Sequence, residues 1–279
     1  MESAMVVTNF PWLTVLVALP AAGAALLGFV PPLRRAAGRV IALAIALVEL
    51  AIGVYAATVF DWSAPASYQL YESRAWIPQI GVTWSVAVTS LGLVMILLAL
   101  ALVPLVLIAG WDENEDRGAY PALVLALQAF MVLIFAAFDL AVFYFAFEAM
   151  LIPLYFMIGR YGVGDEAARH KAAMKFLLYS LFGGLIMLGG VLFIWALGSS
   201  TQSNTIAFFR MDTLAALLPN LSASVQMVVF VSFMVAFAIK APMVPVHTWL
   251  PDTAAVARPG TSVLLVGVLD KIGTFGMIT

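Results

Sequence analysis

Eight apolar stretches, most of them near twenty residues long, are separated by proline, glycine and charged clusters along the chain. At about 1.5 Å of rise per residue, a helix of that length crosses a hydrocarbon layer of about 30 Å. The windows fall at 10–30, 38–60, 83–109, 119–138, 140–159, 172–197, 223–241 and 260–279. Lipid offers backbone N–H and C=O groups no partners, so each window is expected to be helical. With 64% apolar and 10% charged residues, there is too little charge to cover a soluble globule. The expected fold is therefore all-α, a polytopic bundle whose first partner is the lipid bilayer.

Cysteine is absent, which removes disulfides, thiolate-held iron–sulfur clusters, cysteine zinc sites and covalent haem attachment. With His170 and His247 as its two histidines, the chain cannot supply the paired axial ligands of a multi-haem bundle. No redox centre, cofactor or metal is expected in this chain, so any electron transfer belongs to other subunits. The net charge of −2 is spread along the sequence and offers no basic patch to a nucleic acid. The first apolar run lacks a basic leader and a clear cleavage site, and reads as a retained helix. The last window reaches Thr279 with no polar flank, and we expect a fragment of a longer protein.

Lysine and arginine set the orientation, because positively charged loops stay in the cytoplasm. The connections after spans one, three, five and seven hold Arg34, Arg35, Arg39, Arg117, Arg160, Arg169, Lys171, Lys175 and Arg258. Those after spans two and six hold Arg74 and Arg210. The alternation places the N-terminus outside. The acidic run Asp112, Glu113, Glu115 and Asp116 then lies inside, where acids count little. Apart from about 61–82 and 198–222 the connections are short, which leaves no extramembrane domain for a nucleotide. GRYGVG at 159–164 follows a transmembrane span and lacks the strand–turn–helix setting of a phosphate loop. Gly183, Gly184, Gly189 and Gly190 are read as sites of close helix packing in span six.

Several ionisable residues fall where lipid surrounds the chain. Glu148 lies about eight residues into span five, roughly 12 Å from its outer edge. Lys271 lies about eleven residues into span eight, roughly 16 Å from its inner edge. Leaving such a group charged against lipid costs on the order of 3 kcal/mol, so it must face protein, pair, or bind and release protons. A static ion pair that fixes helix register is the bland alternative. Asp270 points about 100° away from Lys271 on a helix and is no simple partner for it. Glu49, central in span two, reads as a structural hydrogen-bond acceptor in preference to a second relay carboxylate.

Lys240 ends a run from Ala223 that could deliver it to the interface, there to snorkel. The next stretch, APMVPVHTWLP, stays largely apolar but inserts Pro242, Pro245 and Pro251. Proline breaks a helix, and irregular backbone at membrane depth is tolerated inside protein or beside water. A broken transmembrane helix near 240–247 thus puts Lys240 beside a polar cavity. His247, seven residues on, shares its face if helical geometry persists across the break. An imidazole there passes protons or is a satisfied hydrogen-bonder.

FEAMLIPLYFMIGRYG at 147–162, KFLLYSLFGGLIML at 175–188, AFAIKAPMVPVHTWLPD at 236–252 and GTSVLLVGVLDKIGTFG at 260–276 resemble the M subunits of proton-pumping NADH:quinone oxidoreductase, respiratory complex I. The glutamate before MLIPLY, the lysine of the K-x-P break, HTWLPD and the later lysine come in the family's order and approximate spacing. The first 110 residues agree in hydrophobic pattern alone. The resemblance implies an antiporter-like helix bundle with two inverted five-helix repeats. Residues 1–110 would be N-terminal transmembrane helices and 111–279 the first repeat, the chain stopping before the second.

The same resemblance implies a proton relay through Glu148, Lys240 and Lys271, with His247 assisting. It implies a translocase subunit of the respiratory chain in a bacterial inner membrane. Flavin, iron–sulfur clusters and quinone are then expected in or between the other membrane and peripheral subunits. After HTWLPD the sequence departs from many relatives, since Thr253 and Ala254 lead into ARPGTS where those continue with Ala-His. Two rivals share the buried charges: a subunit of a multisubunit sodium/proton antiporter, and a structural membrane anchor of a redox complex.

Overall fold

The computed structural model describes residues 6–7, 10–111, 119–199 and 207–279, with backbone alone at 6, 7 and 199. Arg117 and the acidic residues Asp112, Glu113, Glu115 and Asp116 lie outside the described residues. Seven helical segments are long and apolar enough to cross a membrane, and an eighth, Tyr120–Ala136, is apolar and shorter. The chain is a mostly helical, multi-pass membrane protein, as the hydropathy pattern predicts.

The helices are α1 (Trp12–Phe29), α2 (Pro31–Val59), α3 (Ser90–Ala109), α4 (Tyr120–Ala136), α5 (Leu140–Ala149) and α6 (Leu151–Gly159), followed by α7 (Glu166–Ser199). After them come α8 (Met211–Leu217), α9 (Ala223–Lys240), α10 (Trp249–Val256), α11 (Pro259–Leu264) and α12 (Asp270–Ile278). A π turn, Leu265–Leu269, joins the last two into one span. Helices α1 to α4 pack on one another, while α9 lies between α7 and α12. One continuous apolar core runs through both groups.

Two boundaries move relative to the hydropathy windows. Helix α2 starts at Pro31, so Arg34, Arg35 and Arg39 belong to its first turns, where proline's fixed φ suits the first helical position. The third window, 83–109, contains a strand and a helix. VTWSVAV forms β3 (Val82–Val88), and the helix begins at Ser90 behind the Thr89 side chain, which accepts from the Gly92 amide. Strand β3 pairs antiparallel with β2 (Gln69–Ile77), which pairs in parallel with the short β1 (Val6–Val7). The hairpin turns through Gly81 at φ 79°, a left-handed conformation open to glycine.

This small sheet clasps two helix starts. The Glu72 carboxylate accepts from the Leu13 and Thr14 amides at 2.7 and 3.1 Å, capping α1 from outside. Asp139 is fully buried and caps α5 through the Ala141 and Val142 amides, at 2.9 and 3.3 Å. Its other oxygen accepts from the Thr83 amide and hydroxyl of β3 at 2.9 and 2.8 Å. The start of α5 is thereby fixed to the hairpin.

Candidate functional site

Two proline breaks build the site. Pro153 cannot donate to Ala149 and its ring crowds that carbonyl, so span five kinks at Met150 between α5 and α6. Glu148 stands immediately before the kink. Helix α9 ends at Lys240 because Pro242 disfavours helical geometry at Ala241, and residues 241–248 continue as turns.

Carbonyls near the end of α9 are supplied with donors from within and beyond the helix. The Phe237 oxygen accepts from the Ala241 amide at 2.8 Å and the Ala238 oxygen from the Met243 amide at 2.9 Å. The Ile239 oxygen accepts from the Trp249 indole at 3.0 Å. The tryptophan of HTWLPD therefore completes the helix end that carries Lys240. The loop is pinned to α7 as well: the Lys175 ammonium donates to the Thr248 carbonyl at 2.6 Å and to Asp252 at 2.8 Å. The Tyr179 and Thr248 hydroxyls lie 2.8 Å apart. The hydrogen bond from Lys175, reinforced by its charge, holds the exposed Asp252 carboxyl below the usual carboxylate range.

Lys240 is 2% exposed. Its ammonium lies 4.9 Å from the Phe147 ring centroid and 5.8 Å from that of Phe176, whose ring packs on Trp249 at 5.3 Å. Its Nζ has no hydrogen-bond partner among the described residues. A cation over an aromatic face gains at most about 2 kcal/mol, whereas desolvating an ammonium costs several. The rings alone cannot keep this charge, so water or a nearby carboxylate must share it.

Glu148 supplies such a carboxylate. Its Oε1 is buried without a hydrogen-bond partner among the described residues, and it interacts electrostatically with Lys240. The pair is not a closed salt bridge, since among the described residues no ion pair within 4.0 Å joins them. The carboxyl rests against the backbone of α7 at Gly184, where a β-carbon would lie 1.6 Å from Oε1.

The other predicted residues are distributed differently. His247 does not share a helical face with Lys240, because the prolines end the helix between them. It sits half-buried in the turn segment, with Nδ1 buried and unpartnered among the described residues. Lys271 lies on the exposed face of α12, its ammonium donating to the Val266 carbonyl in the π turn at 2.9 Å. The residue facing Lys240 from α12 is Asp270, which acts electrostatically on it. Sequence reasoning tested Asp270 against its neighbour Lys271 and not across the helix interface, where the match lies.

Glu49 is fully buried, and neither oxygen has a hydrogen-bond donor among the described residues. The expectation of a structural acceptor there finds no donor. Gln128 on α4 is equally buried and unpartnered among them. The loop at 159–164 is a packing element: the Val163 amide donates to the Val256 carbonyl at 2.7 Å, and Arg258 Nε bonds the Tyr161 carbonyl. Of the glycines in α7, Gly183 lies against Ala236 and Ile239 and Gly190 against Ser232, while Gly189 faces open space.

Known proteins resemble this chain in sequence and fold. The sequence profile of the family described as NADH:quinone oxidoreductase/Mrp antiporter, TM, matches residues 137–279. The chain is 39% identical over 301 residues to NADH-quinone oxidoreductase subunit M of Mycobacterium tuberculosis, covering 97% of this chain and 54% of that protein. It is 36% identical over 275 residues to NAD(P)H-quinone oxidoreductase chain 4 1 of Thermosynechococcus vestitus, covering 97% and 50%. The chain thus spans about half the length of the curated relatives it matches.

Among solved structures, a chain of respiratory complex I from Thermus thermophilus superposes with a TM-score of 0.78 at 30% identity, covering 95% of this chain and 51% of that one. A chain of the Mrp complex from Dietzia sp. shares the fold, with a TM-score of 0.76 at 21% identity over 95% and 28%. With the family profile covering the kinked span, the broken span and the π turn, the chain belongs to the transmembrane family common to NADH:quinone oxidoreductases and Mrp antiporters.

Proposed function

We propose that the chain acts as a proton-translocating membrane subunit of an NADH:quinone oxidoreductase, in a bacterial inner membrane with its N-terminus outside. In this reading its partners are the complex's other membrane and peripheral subunits, where flavin, iron–sulfur clusters and quinone carry the electrons. Protons pass through Glu148, Lys240 and Lys271, with His247 assisting beside the break.

One observation carries the reading. A buried lysine amine sits at a helix break with a carboxylate near it, and among the described residues neither Lys240 Nζ nor Glu148 Oε1 has a hydrogen-bond partner. A permanent structural ion pair closes to bonding distance. An open pair can change its separation, and the carboxylate's distance then governs how firmly the amine holds its proton. Two charges about 8 Å apart, screened by an effective dielectric of about 20, interact by about 2 kcal/mol. Moving one proton against 100 mV costs about 2.3 kcal/mol. Opening and closing one pair is thus on the scale of the task. The higher identity to subunit M relatives than to the Mrp chain supports this reading over the sodium/proton antiporter.

The test is Lys240→Ala in the assembled complex. Expected is retained electron transfer through the peripheral subunits with loss of coupled proton pumping. Pumping at the unmodified rate would falsify the role given to Lys240. Failure to assemble, with Lys240→Arg assembled and pumping normally, would instead mark the residue as structural.

A further inference from the structure

Asp270 opens α12 directly after the π turn. Three residues later, on the same helix face, Gly273 presses against the end of α9. A β-carbon there would lie 2.6 Å from the Phe237 carbonyl oxygen and 2.7 Å from the Ala241 amide nitrogen. That approach turns the Asp270 face toward the helix end where Lys240 lies. The Asp270 carboxyl interacts electrostatically with both Lys271 and Lys240. Its Oδ1 is buried and, like Lys240 Nζ, has no hydrogen-bond partner among the described residues. A half-buried acid with one unpartnered oxygen, on the face turned toward an unpartnered buried amine, has no hydrogen bond to that amine to maintain among the described residues. It is placed to exchange something with that amine.

We propose that Asp270 is an intermediate proton carrier, accepting from Lys240 and delivering to Lys271. The inference rests on the relay reading of Glu148, Lys240 and Lys271. In the first step the Lys240 ammonium gives a proton, through water, to the Asp270 carboxylate, leaving a neutral amine and a neutral acid. In the second the Asp270 acid protonates the neutral Lys271 amine, which restores the carboxylate and leaves an ammonium. No electron moves, and one proton is passed on.

The physical advantage lies in the intermediate. Direct transfer from Lys240 to Lys271 keeps a net cation on the way out of the buried site, whereas transfer from ammonium to carboxylate abolishes two charges at once, that of the buried Lys240 among them. The π turn contributes on the delivery side. Its widened ladder presents the Val266 carbonyl that holds the Lys271 ammonium on the far face of α12.

Asp270→Asn, Asp270→Glu and Lys240→Ala, each in the complete complex in native membranes, test the proposal. Quinone reduction, proton pumping into vesicles and assembly are measured together. Expected is a fall in pumping of about tenfold or more for Asp270→Asn. Asp270→Glu should recover most of it, since it retains an acid that the isosteric amide lacks. Normal pumping by Asp270→Asn alongside failed pumping by Lys240→Ala overturns the carrier and leaves the relay standing. Normal pumping by both overturns the relay itself. If Asp270→Asn does not assemble, an assembled Asp270→Glu decides: pumping supports the carrier, and its loss overturns it.

Discussion

The Glu148 carboxyl occupies the place where any residue larger than glycine at position 184 would put its β-carbon, 1.6 Å from Oε1. Helix α7 thus limits how far the acid can reach out from α5. Gly184→Ala should force the carboxyl out and cost about 1–3 kcal/mol of overpacking. We expect an assembled complex with lowered thermal stability and impaired pumping, read by native electrophoresis over a temperature series and by vesicle acidification. Unchanged pumping would detach Glu148's position from its role.

Trp249→Phe keeps the ring on Phe176 and removes the donor to the Ile239 carbonyl. A buried carbonyl left without a partner costs about 1–3 kcal/mol. Amide hydrogen exchange in the last turn of α9 should accelerate, while α7 stays protected. Equal protection in both proteins would show that the indole bond is dispensable.

Asp139→Ala removes four hydrogen bonds at once, two capping α5 and two to Thr83. Loss of a cap costs about 0.5–2 kcal/mol, and the orphaned Thr83 donors add to it. Asp139→Asn keeps one acceptor oxygen, enough for the α5 amides or for Thr83 but not for both, and should lose less than Ala. Thermal melts of the purified complex are expected in the order wild type, Asn, Ala.

The tie between Lys175 and Asp252 is pH-dependent. Because the folded state holds Asp252 below the ordinary range of about 3.9, its stabilising contribution is fully present above that value. It fades as pH falls through the lowered one. Proteolysis of residues 241–256 by an acid-active protease should therefore rise at the acid end in the native protein. In Asp252→Asn the acid dependence of cleavage should be flatter.

Much of this architecture was legible from two patterns. Long apolar runs identified the spans, and Pro242, Pro245 and Pro251 identified the break behind Lys240. The hairpin escaped because VTWSVAV is as apolar as the helix it precedes, and a hydropathy window merges them. Its two-residue alternation was the available signal. Asp270 escaped for a different reason. Its neighbour across the interface is set by how closely Gly273 lets α12 approach α9, a distance that no spacing within a single helix encodes. The same limit applies to Lys240 and His247, whose seven-residue separation suggested a common face that the prolines dissolve.

The clasp on Asp139 has a mechanical consequence for Glu148. A rod gripped at its first turn and notched at its middle cannot slide lengthwise without tearing the grip. It can pivot at the notch. Bending of α6 about Met150 therefore leaves the acid, just short of the notch, at a fixed height along its own helix.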